Sequence, residues 1–245
     1  MASKPHTDEV HRQQRIVKNP IKFKIQLNEE QKKAKEEILN NTLTILAGRA
    51  GSGKTLLAVQ IALDGLLRRH YEKIIITRPT VSKEEIGFLP GDLREKMDPW
   101  IQPIYQNMYA LYDKVKIEKL IEDGKIEIVP LAFMRGRTFL DSCIIVDEAQ
   151  NVTHEQMEMI ATRIGLRSKM IVCGDDHQVD LKSRRESGFR FLYTSARKVK
   201  NMIGITLVEN HRDPIVDDLI QVYEDAAEQG ITLGSSGTSG KSRKG

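Results

Sequence analysis

The octapeptide GRAGSGKT at Gly48–Thr55 is the feature that most restricts what this chain can fold into. It lies between a short apolar run, "TLTILA" at 42–47, and a stretch with helical periodicity, "LLAVQIALDGLLRR". Glycines at these positions let backbone N–H groups curl around a phosphate at the positive end of a helix. The strand–loop–helix context therefore predicts a phosphate-binding loop. We expect Lys54 to reach the β- and γ-phosphate oxygens and the Thr55 hydroxyl to bind Mg²⁺.

Short apolar runs recur along the chain and alternate with segments of helical periodicity. Besides 42–47, the runs lie at 73–77, 125–129, 143–147, 169–173 and 204–208. They are rich in β-branched residues and too short for helices, which is typical of buried parallel strands. The alternation predicts an α/β fold with a doubly wound, mostly parallel sheet.

Charge and composition divide the chain into three parts. Residues 1–24 carry six Lys/Arg against two acids and residues 231–245 carry three against none, within a net charge of +4. We predict a basic, flexible N-terminal segment (1–24), a single domain (25–230) and a disordered Gly/Ser/Lys-rich tail (231–245). Basic ends of this kind either hold the backbone of a nucleic acid or act as solubilising tails, and the sequence favours neither.

One long interruption follows the second strand. Residues 82–124 read as a helical insertion that begins with a Pro-Gly turn and concentrates aromatic residues. These are Phe88, Trp100, Tyr105, Tyr109 and Tyr112. The last four recur at near-helical spacing, which usually indicates packing and is also compatible with a subunit interface.

The chain shows no membrane-spanning or secretory signal. No run approaches the ~18 consecutive apolar residues that a spanning helix needs, and the polar start lacks the apolar stretch of a signal peptide. Cys143 and Cys173 each lie inside an apolar run, so we expect two small buried side chains rather than metal ligands or a disulfide. These features predict a reducing, cytoplasmic location and no membrane partner.

Two further strand ends carry polar residues. Asp147 and Glu148 follow a buried strand in "CIIVDEAQN", where Asp147 can place Mg²⁺ through its water shell and Glu148 can polarise an attacking water. The alternative, a helix cap, is already supplied by Thr153 with Gln156 three residues on. Gln178 follows the next strand in "MIVCGDDHQVD", where its amide can sense the γ-phosphate.

Together, "LNEEQKKA", "GRAGSGKT", "TRPTVS", "VDEAQN", "GDDHQVD" and "ENHRDP" resemble the ordered motifs of superfamily 1 helicases. The strings "EEIGFLPGDLREKMDPWIQPIY", "PLAFMRGRTF" and "SKMIVCGDDHQVDL" resemble more closely the PhoH-like (phosphate-starvation-inducible) ATPases, over roughly residues 25–225. The resemblance implies a RecA-like P-loop fold, ATP and Mg²⁺ as ligands, and activity directed at RNA. The RNA substrate does not follow from composition or spacing, and the resemblance alone supplies it.

The resemblance also assigns residues to roles. Lys54, Glu148, Gln178 and Arg212 would be catalytic, and Thr55 and Asp147 would place the metal. Nucleotide contacts would come from Gly48, Arg49, Ala50, Gly51, Ser52, Gly53, Lys54 and Thr55, with Gln31 as the adenine-reading amide. A plain helix-surface role for Gln31 is equally compatible with the sequence.

Motors of the related superfamily bind single strands near the strand that follows the phosphate-loop helix. This comparison points to Arg78, Thr80, Ser82, Arg135 and Arg137 as nucleic-acid contacts, with Phe133 or Phe139 stacking on a base. The alternative is that some of these arginines form intramolecular or subunit ion pairs.

These expectations favour Mg²⁺-dependent ATP hydrolysis coupled to binding, translocation on or unwinding of single-stranded RNA or DNA. One alternative is an ATP-dependent clamp or switch that unwinds nothing, and a weaker one is a small-molecule kinase.

Arg212 follows the last strand and would act in cis or in a neighbouring subunit. We favour the neighbour, because a closed head-to-tail ring supplies a second wall for the site. Family resemblance sets the expected number of subunits at six.

Overall fold

The computed structural model describes residues 21–79, 93–181 and 183–228, and at 93–99, 217, 224, 227 and 228 it describes the backbone alone. The chain divides into two compact units, Met1–Glu209 and Asn210–Gly245. The predicted domain 25–230 spans the boundary between them.

The first unit contains the sheet and most of the helices. Its strands are β1 (Leu43–Gly48), β2 (Lys73–Thr77), β3 (Ile126–Ile128), β4 (Ser142–Val146), β5 (Lys169–Gly174) and β6 (Met202–Leu207). Its α-helices are α1 (Glu29–Asn40), α2 (Lys54–Leu67), α3 (Leu93–Leu111), α4 (Lys114–Glu122), α5 (His154–Ala161) and α6 (Gly188–Ser195). Short 3-10 turns lie at Leu131–Met134, Ala149–Asn151, Arg184–Glu186 and Ala196–Lys198.

The six strands form one parallel sheet in the order β3-β2-β4-β5-β1-β6. All six apolar runs singled out in the sequence are strands, so the predicted doubly wound parallel sheet is confirmed. One strand, β5, separates β1, which enters the phosphate loop, from β4, which precedes Asp147. Because all strands run in one direction, their carboxyl ends meet at the same edge of the sheet.

Both faces of the sheet are covered. Ile45 and Leu46 are successive residues of β1, each fully buried, and they belong to two different hydrophobic clusters. Side chains of α1, α2, α3 and α4 pack on the Leu46 face, whereas those of α5 and α6 pack on the Ile45 face. Alternating side-chain direction along a strand requires two apolar layers, which is why these runs are apolar throughout.

The described part of the predicted insertion consists of α3 and α4. Tyr105 and Tyr109 stack with ring centroids 6.0 Å apart, and with Tyr112 they pack against the Leu46-side cluster. The indole N–H of Trp100 donates to the carbonyl of Pro79 (3.1 Å). The packing interpretation of this aromatic stripe is confirmed for these residues, while Phe88 lies outside the described residues.

Smaller expectations also hold. Thr153 caps α5 in a capping box with Gln156, and the side chains of Cys143 and Cys173 are buried. One expectation is wrong: Phe139 is 4% exposed within the Ile45-side cluster, so it is not available to stack on a base. No helix in the described ranges is long and apolar enough to cross a membrane.

The second unit contains the helix α7 (Ile215–Glu228). Its described apolar side chains include Ile215, Leu219, Val222 and Tyr223, which are exposed and recur at helical spacing.

Candidate active site

The phosphate loop is closed tightly over the end of β1. A Cβ atom on Gly48 would lie 2.6 Å from both the Leu207 carbonyl oxygen and Ser52 Oγ, so a larger residue would open the loop. Gly53, at the N-cap of α2, has φ +80°, a left-handed conformation that glycine adopts without steric cost. The loop therefore leads directly into the N-terminus of α2, where the backbone N–H groups of the first turn attract an anion.

Lys54 folds back onto this loop. Its Nζ donates to the carbonyls of Gly48 (2.7 Å) and Arg49 (2.9 Å). Partial burial lowers the pKa of Lys54, and the negative charge of Asp175 opposes that shift. A partly desolvated ammonium at the positive end of a helix fits an anionic ligand, because a phosphate restores the electrostatic stabilisation that water supplied.

Thr55 and Asp147 meet although they are distant in sequence. The Thr55 hydroxyl donates to Asp147 Oδ1 at 2.7 Å, and Asp147 is 5% exposed. Burial raises the pKa of Asp147, and the hydrogen bond from Thr55 partly offsets the increase. A hydroxyl beside a buried carboxylate is a donor set that suits Mg²⁺. Within the described ranges, no group of three or more His, Cys, Asp or Glu side chains is arranged to hold a metal ion.

Glu148 is held in an unusual backbone conformation. Its φ is +50° and its ψ +39°, values that cost a non-glycine residue roughly 1–3 kcal/mol. Gln150 Nε2 donates to Glu148 Oε2 (2.7 Å), and Arg78 Nη2 lies 3.6 Å from Glu148 Oε1. Two side chains therefore hold the carboxylate that the sequence predicts to be the base.

Gln150 links the two polar strand ends. It is 1% exposed, and its Oε1 accepts the backbone N–H of Asp175 (3.1 Å), just beyond β5. Neither Gln150 nor Asp175 is among the site residues predicted from the sequence. A polar amide two residues after Glu148 was the available signal for Gln150, and an acidic residue directly after the apolar run "MIVCG" was the signal for Asp175.

Gln178 lies on a turn organised by Asp175. The Asp175 carboxylate accepts the N–H of His177 (2.9 Å), and its carbonyl accepts the N–H of Gln178 (3.1 Å). Gln178 is exposed. Asn151 and Asp180 exchange two hydrogen bonds (2.7 and 3.0 Å), which tie this turn to the one that follows Glu148. The assignment of Gln178 as a γ-phosphate sensor stays a prediction.

Gln31 takes part in the N-terminal cap of α1. Its Oε1 accepts the N–H of Asn28 (3.2 Å), Asn28 Oδ1 accepts the N–H of Gln31 (2.7 Å), and Gln31 is 4% exposed. The structure thus gives Gln31 a capping function, and its contact with adenine stays a prediction.

The residues expected to contact nucleic acid have different surroundings. Arg137 pairs with Glu127 (2.8 Å) and lies over the Phe139 ring, so the ion-pair alternative describes this arginine. Arg135 and Phe133 are exposed, and Arg78 pairs with Glu148. Thr80 and Ser82 lie outside the described residues.

Arg212 belongs to the unit Asn210–Gly245, whereas the phosphate loop belongs to Met1–Glu209. The Arg212 side chain is exposed, and its backbone N–H donates to Asn210 Oδ1 (3.0 Å). Its catalytic role stays a prediction.

Known proteins resemble this chain over most of its length. A PhoH-like protein from Bacillus subtilis is 45% identical over 190 residues, covering 75% of this chain and 59% of that protein. A PhoH-like protein from Synechocystis is 43% identical over 190 residues, covering 76% and 58%. The chain therefore spans less than two thirds of these relatives.

Solved structures show weaker likeness. The Pif1 helicase from Candida albicans superposes with a TM-score of 0.41 at 16% identity, covering 82% of this chain and 44% of that one. A Bacteroides Pif1 bound to single-stranded DNA has a TM-score of 0.40 at 15% identity, covering 85% and 47%.

The family model described as PhoH-like protein matches residues 24–224, which include the phosphate loop, Asp147–Glu148 and the turn that carries Gln178. With this match and relatives above 40% identity, the chain belongs to the PhoH-like family and has the fold of a P-loop NTPase.

Proposed function

We propose that this protein is an Mg²⁺-dependent ATPase whose hydrolysis is coupled to binding, translocation on or unwinding of single-stranded RNA or DNA. The observation that carries the proposal is the 2.7 Å hydrogen bond between Thr55 and Asp147. It joins the phosphate loop to the carboxylate pair of β4, and a nucleotide-dependent site needs both.

The phosphate loop and Lys54 bind the nucleotide. Backbone N–H groups of the loop receive the β-phosphate, and the Lys54 ammonium exchanges its contacts with the Gly48 and Arg49 carbonyls for phosphate oxygens. Thr55 and Asp147 hold Mg²⁺, the latter through water. When bound, the ion neutralises charge on the β- and γ-phosphates. Gln31 pairs with adenine in this proposal.

Glu148 accepts a proton from the attacking water. Its backbone conformation and the bond from Gln150 fix the carboxylate beside the loop, which reduces the reorganisation needed to reach a reactive position. Gln178, on the turn tied to that of Glu148, orients the water or contacts the γ-phosphate. A glutamate held in position to polarise water favours transfer of the γ-phosphoryl group to water over its transfer to a small-molecule acceptor.

Arg78, Arg135 and Arg137, with Thr80 and Ser82, are the proposed contacts for a single strand, and Arg137 would exchange its ion pair with Glu127 for a phosphate. Arg78 follows the carboxyl end of β2, at the sheet edge that carries the nucleotide site. Cationic side chains at this edge would place nucleic-acid phosphates close to the carboxylate that hydrolysis requires.

The proposed assembly is a hexameric ring in which Arg212 enters the site of a neighbouring subunit. The apolar side chains aligned on one face of α7 require a surface to pack against, and a neighbouring subunit would supply one. The charge of an arginine at the γ-phosphate accelerates hydrolysis by ~10³ to 10⁵-fold in related chemistry.

The substitution Glu148→Gln tests the enzymatic assignment. Phosphate release should fall by about 10²- to 10⁴-fold while nucleotide binding is retained, because the amide keeps the shape and loses the base. Glu158→Gln, at an exposed position of α5, is the matched control and should hydrolyse ATP like the wild type. Unchanged turnover in Glu148→Gln would refute the assignment.

Strand-displacement and nucleic-acid-stimulated ATPase assays separate the motor from the clamp. A clamp shows stimulation by an oligonucleotide without strand displacement, whereas a motor shows both. Phosphate release that needs no acceptor substrate argues against a kinase.

A further inference from the structure

The Glu148 carboxylate has a neighbour at each oxygen. Gln150 donates to Oε2, and Arg78 Nη2 stands 3.6 Å from Oε1. A water that Glu148 is to polarise must reach one of these oxygens at hydrogen-bond distance. In this arrangement the guanidinium of Arg78 lies beside Oε1 and attracts the carboxylate electrostatically, and the amide of Gln150 holds Oε2 by a hydrogen bond.

The two contacts differ in how readily they can be broken. Gln150 is buried, and its other end binds the Asp175 N–H, so its rotation would leave buried polar groups unpaired. The Arg78 pair is longer than a hydrogen bond, and the side chains of Arg78 and Glu148 are 17% and 41% exposed. Ion pairs this open and this long are weak. Arg78 is therefore the contact that a competing anion displaces.

A phosphodiester is a suitable competitor. An arginine fork binds phosphate oxygens through two parallel hydrogen bonds, which is stronger than a single long contact to a carboxylate. Arg78 also donates to the Trp100 carbonyl (3.3 Å), so its guanidinium already lies between the site and α3.

We propose that Arg78 couples single-stranded nucleic acid to hydrolysis: paired with Glu148 it restrains the base, and bound to a nucleic-acid phosphate it releases Oε1 to the attacking water. Arg78 is thus a positioning residue that acts through Glu148. The proposal rests on the function proposed above and adds the route by which the polymer regulates that site.

Trp100 provides a built-in reporter. It is the only tryptophan of the chain. Its indole N–H binds the Pro79 carbonyl next to Arg78, and its own carbonyl accepts from the Arg78 guanidinium. Movement of Arg78 toward a phosphate changes the surroundings of the indole ring. Intrinsic tryptophan fluorescence should therefore detect this movement without a label.

The test compares the wild type with Arg78→Ala and Arg78→Gln in phosphate-release assays, with and without oligo(U) and oligo(dT). Removing the restraint should raise the rate without oligonucleotide about 1.5- to fivefold, the range expected for losing a weak ion pair. Stimulation by oligonucleotide should fall to about onefold in both variants. Arg68→Ala, which removes an ion pair with Asp64 on α2, is the control and should resemble the wild type.

Fluorescence supplies an independent measurement. Oligonucleotide should change Trp100 emission in the wild type and leave it unchanged in Arg78→Ala. A lower or unchanged basal rate in both folded variants overturns the restraint, and equal stimulation of variant and wild type overturns the coupling.

The two proposals can fail separately. A higher basal rate in the variants, with no effect of oligonucleotide on any protein, supports the restraint by Arg78 and refutes the nucleic-acid partner. If neither the wild type nor any variant hydrolyses ATP, the proposed ATPase activity is refuted. A Trp100 response to oligonucleotide that requires Arg78 would then still support the contact.

Discussion

At the scale of single residues, the site depends on Gln150. Its amide connects the Glu148 carboxylate to the backbone of Asp175, so one buried side chain sets the relative positions of two strand ends. Glu148 occupies a left-handed backbone conformation that neighbouring contacts must stabilise. Loss of Gln150 removes one such contact and leaves the Asp175 N–H without this acceptor.

We predict that Gln150→Leu lowers kcat for ATP hydrolysis about tenfold or more and leaves KM within about threefold, because the proposed catalytic carboxylate of Glu148 loses its orientation while the phosphate loop is intact. The unfolding free energy should fall by about 1–3 kcal/mol, the cost of an unpaired buried group. Steady-state kinetics and urea denaturation measure both. Asn151→Ala breaks the more exposed bonds to Asp180 on the same turn and should keep a nearly normal kcat.

The titration of Asp147 leads to a pH prediction. Burial raises the pKa of Asp147 in the folded protein above its value in the unfolded chain. At pH values between these two pKa values, the folded protein binds more protons than the unfolded chain. In the absence of ligand, the contribution of Asp147 to the free energy of unfolding therefore decreases as the pH rises from the unfolded-state pKa to the folded-state pKa.

In the proposed site Mg²⁺ would bind the ionised Asp147 carboxylate, so the stabilisation by Mg²⁺ and ADP should increase as pH rises through the same interval. The difference in melting temperature with and without Mg²⁺ and ADP, determined at several pH values, measures this stabilisation. Asp147→Asn cannot ionise and should show a smaller, flatter pH dependence. An identical dependence in both proteins would contradict this assignment.

At the scale of elements, α1 is fixed to the sheet at both ends. Lys169, at the start of β5, is 7% exposed and donates to the Ile38 (2.5 Å), Leu39 (3.3 Å) and Asn41 carbonyls, which lie at the end of α1. At the other end, the Glu30 carboxylate accepts the N–H groups of Val208 and Glu209 after β6. The helix thus bridges β5 and β6 across β1.

We predict that Lys169→Met lowers the unfolding free energy by about 1–3 kcal/mol, because the terminal carbonyls of α1 lose a buried donor. Urea denaturation followed by circular dichroism measures the change. The control is Lys119→Met, which removes an exposed pair with Asp123 and should leave the midpoint unchanged. Equal midpoints for both variants would show that α1 does not need this donor.

At the scale of the whole molecule, sheet order creates the site. Because β5 lies between β1 and β4, the phosphate loop and Asp147 extend from the same edge and meet through Thr55. The proposed ring would bring Arg212 of a neighbouring subunit to this edge.

Mixing two inactive variants tests the ring. Subunits with Lys54→Ala supply an intact Arg212, and subunits with Arg212→Ala supply an intact phosphate loop, so mixed assemblies should regain part of the ATPase activity. No recovery in mixtures shown by light scattering to contain both proteins would favour action in cis. Light scattering with an ATP analogue should also give a mass near six subunits.

The strands and the phosphate loop followed from the sequence because their signals are local. Apolar β-branched runs such as 143–147 have few alternatives to a buried strand, and the glycines of Gly48–Thr55 mark a loop that larger residues cannot form. Thr153 was likewise recognisable as a cap, because a capping box spans only four residues.

Only the tertiary structure decided which distant side chains meet. Phe139 looks like an exposed aromatic beside arginines, yet long-range packing buries it. Lys169 reads as the polar start of a strand, and its contact with α1 depends on a helix about 130 residues earlier in the chain. The link from Arg78 through Glu148 and Gln150 to Asp175 joins the ends of β2, β4 and β5. Sequence periodicity specifies a burial pattern, whereas the packing of strands and helices selects the partners.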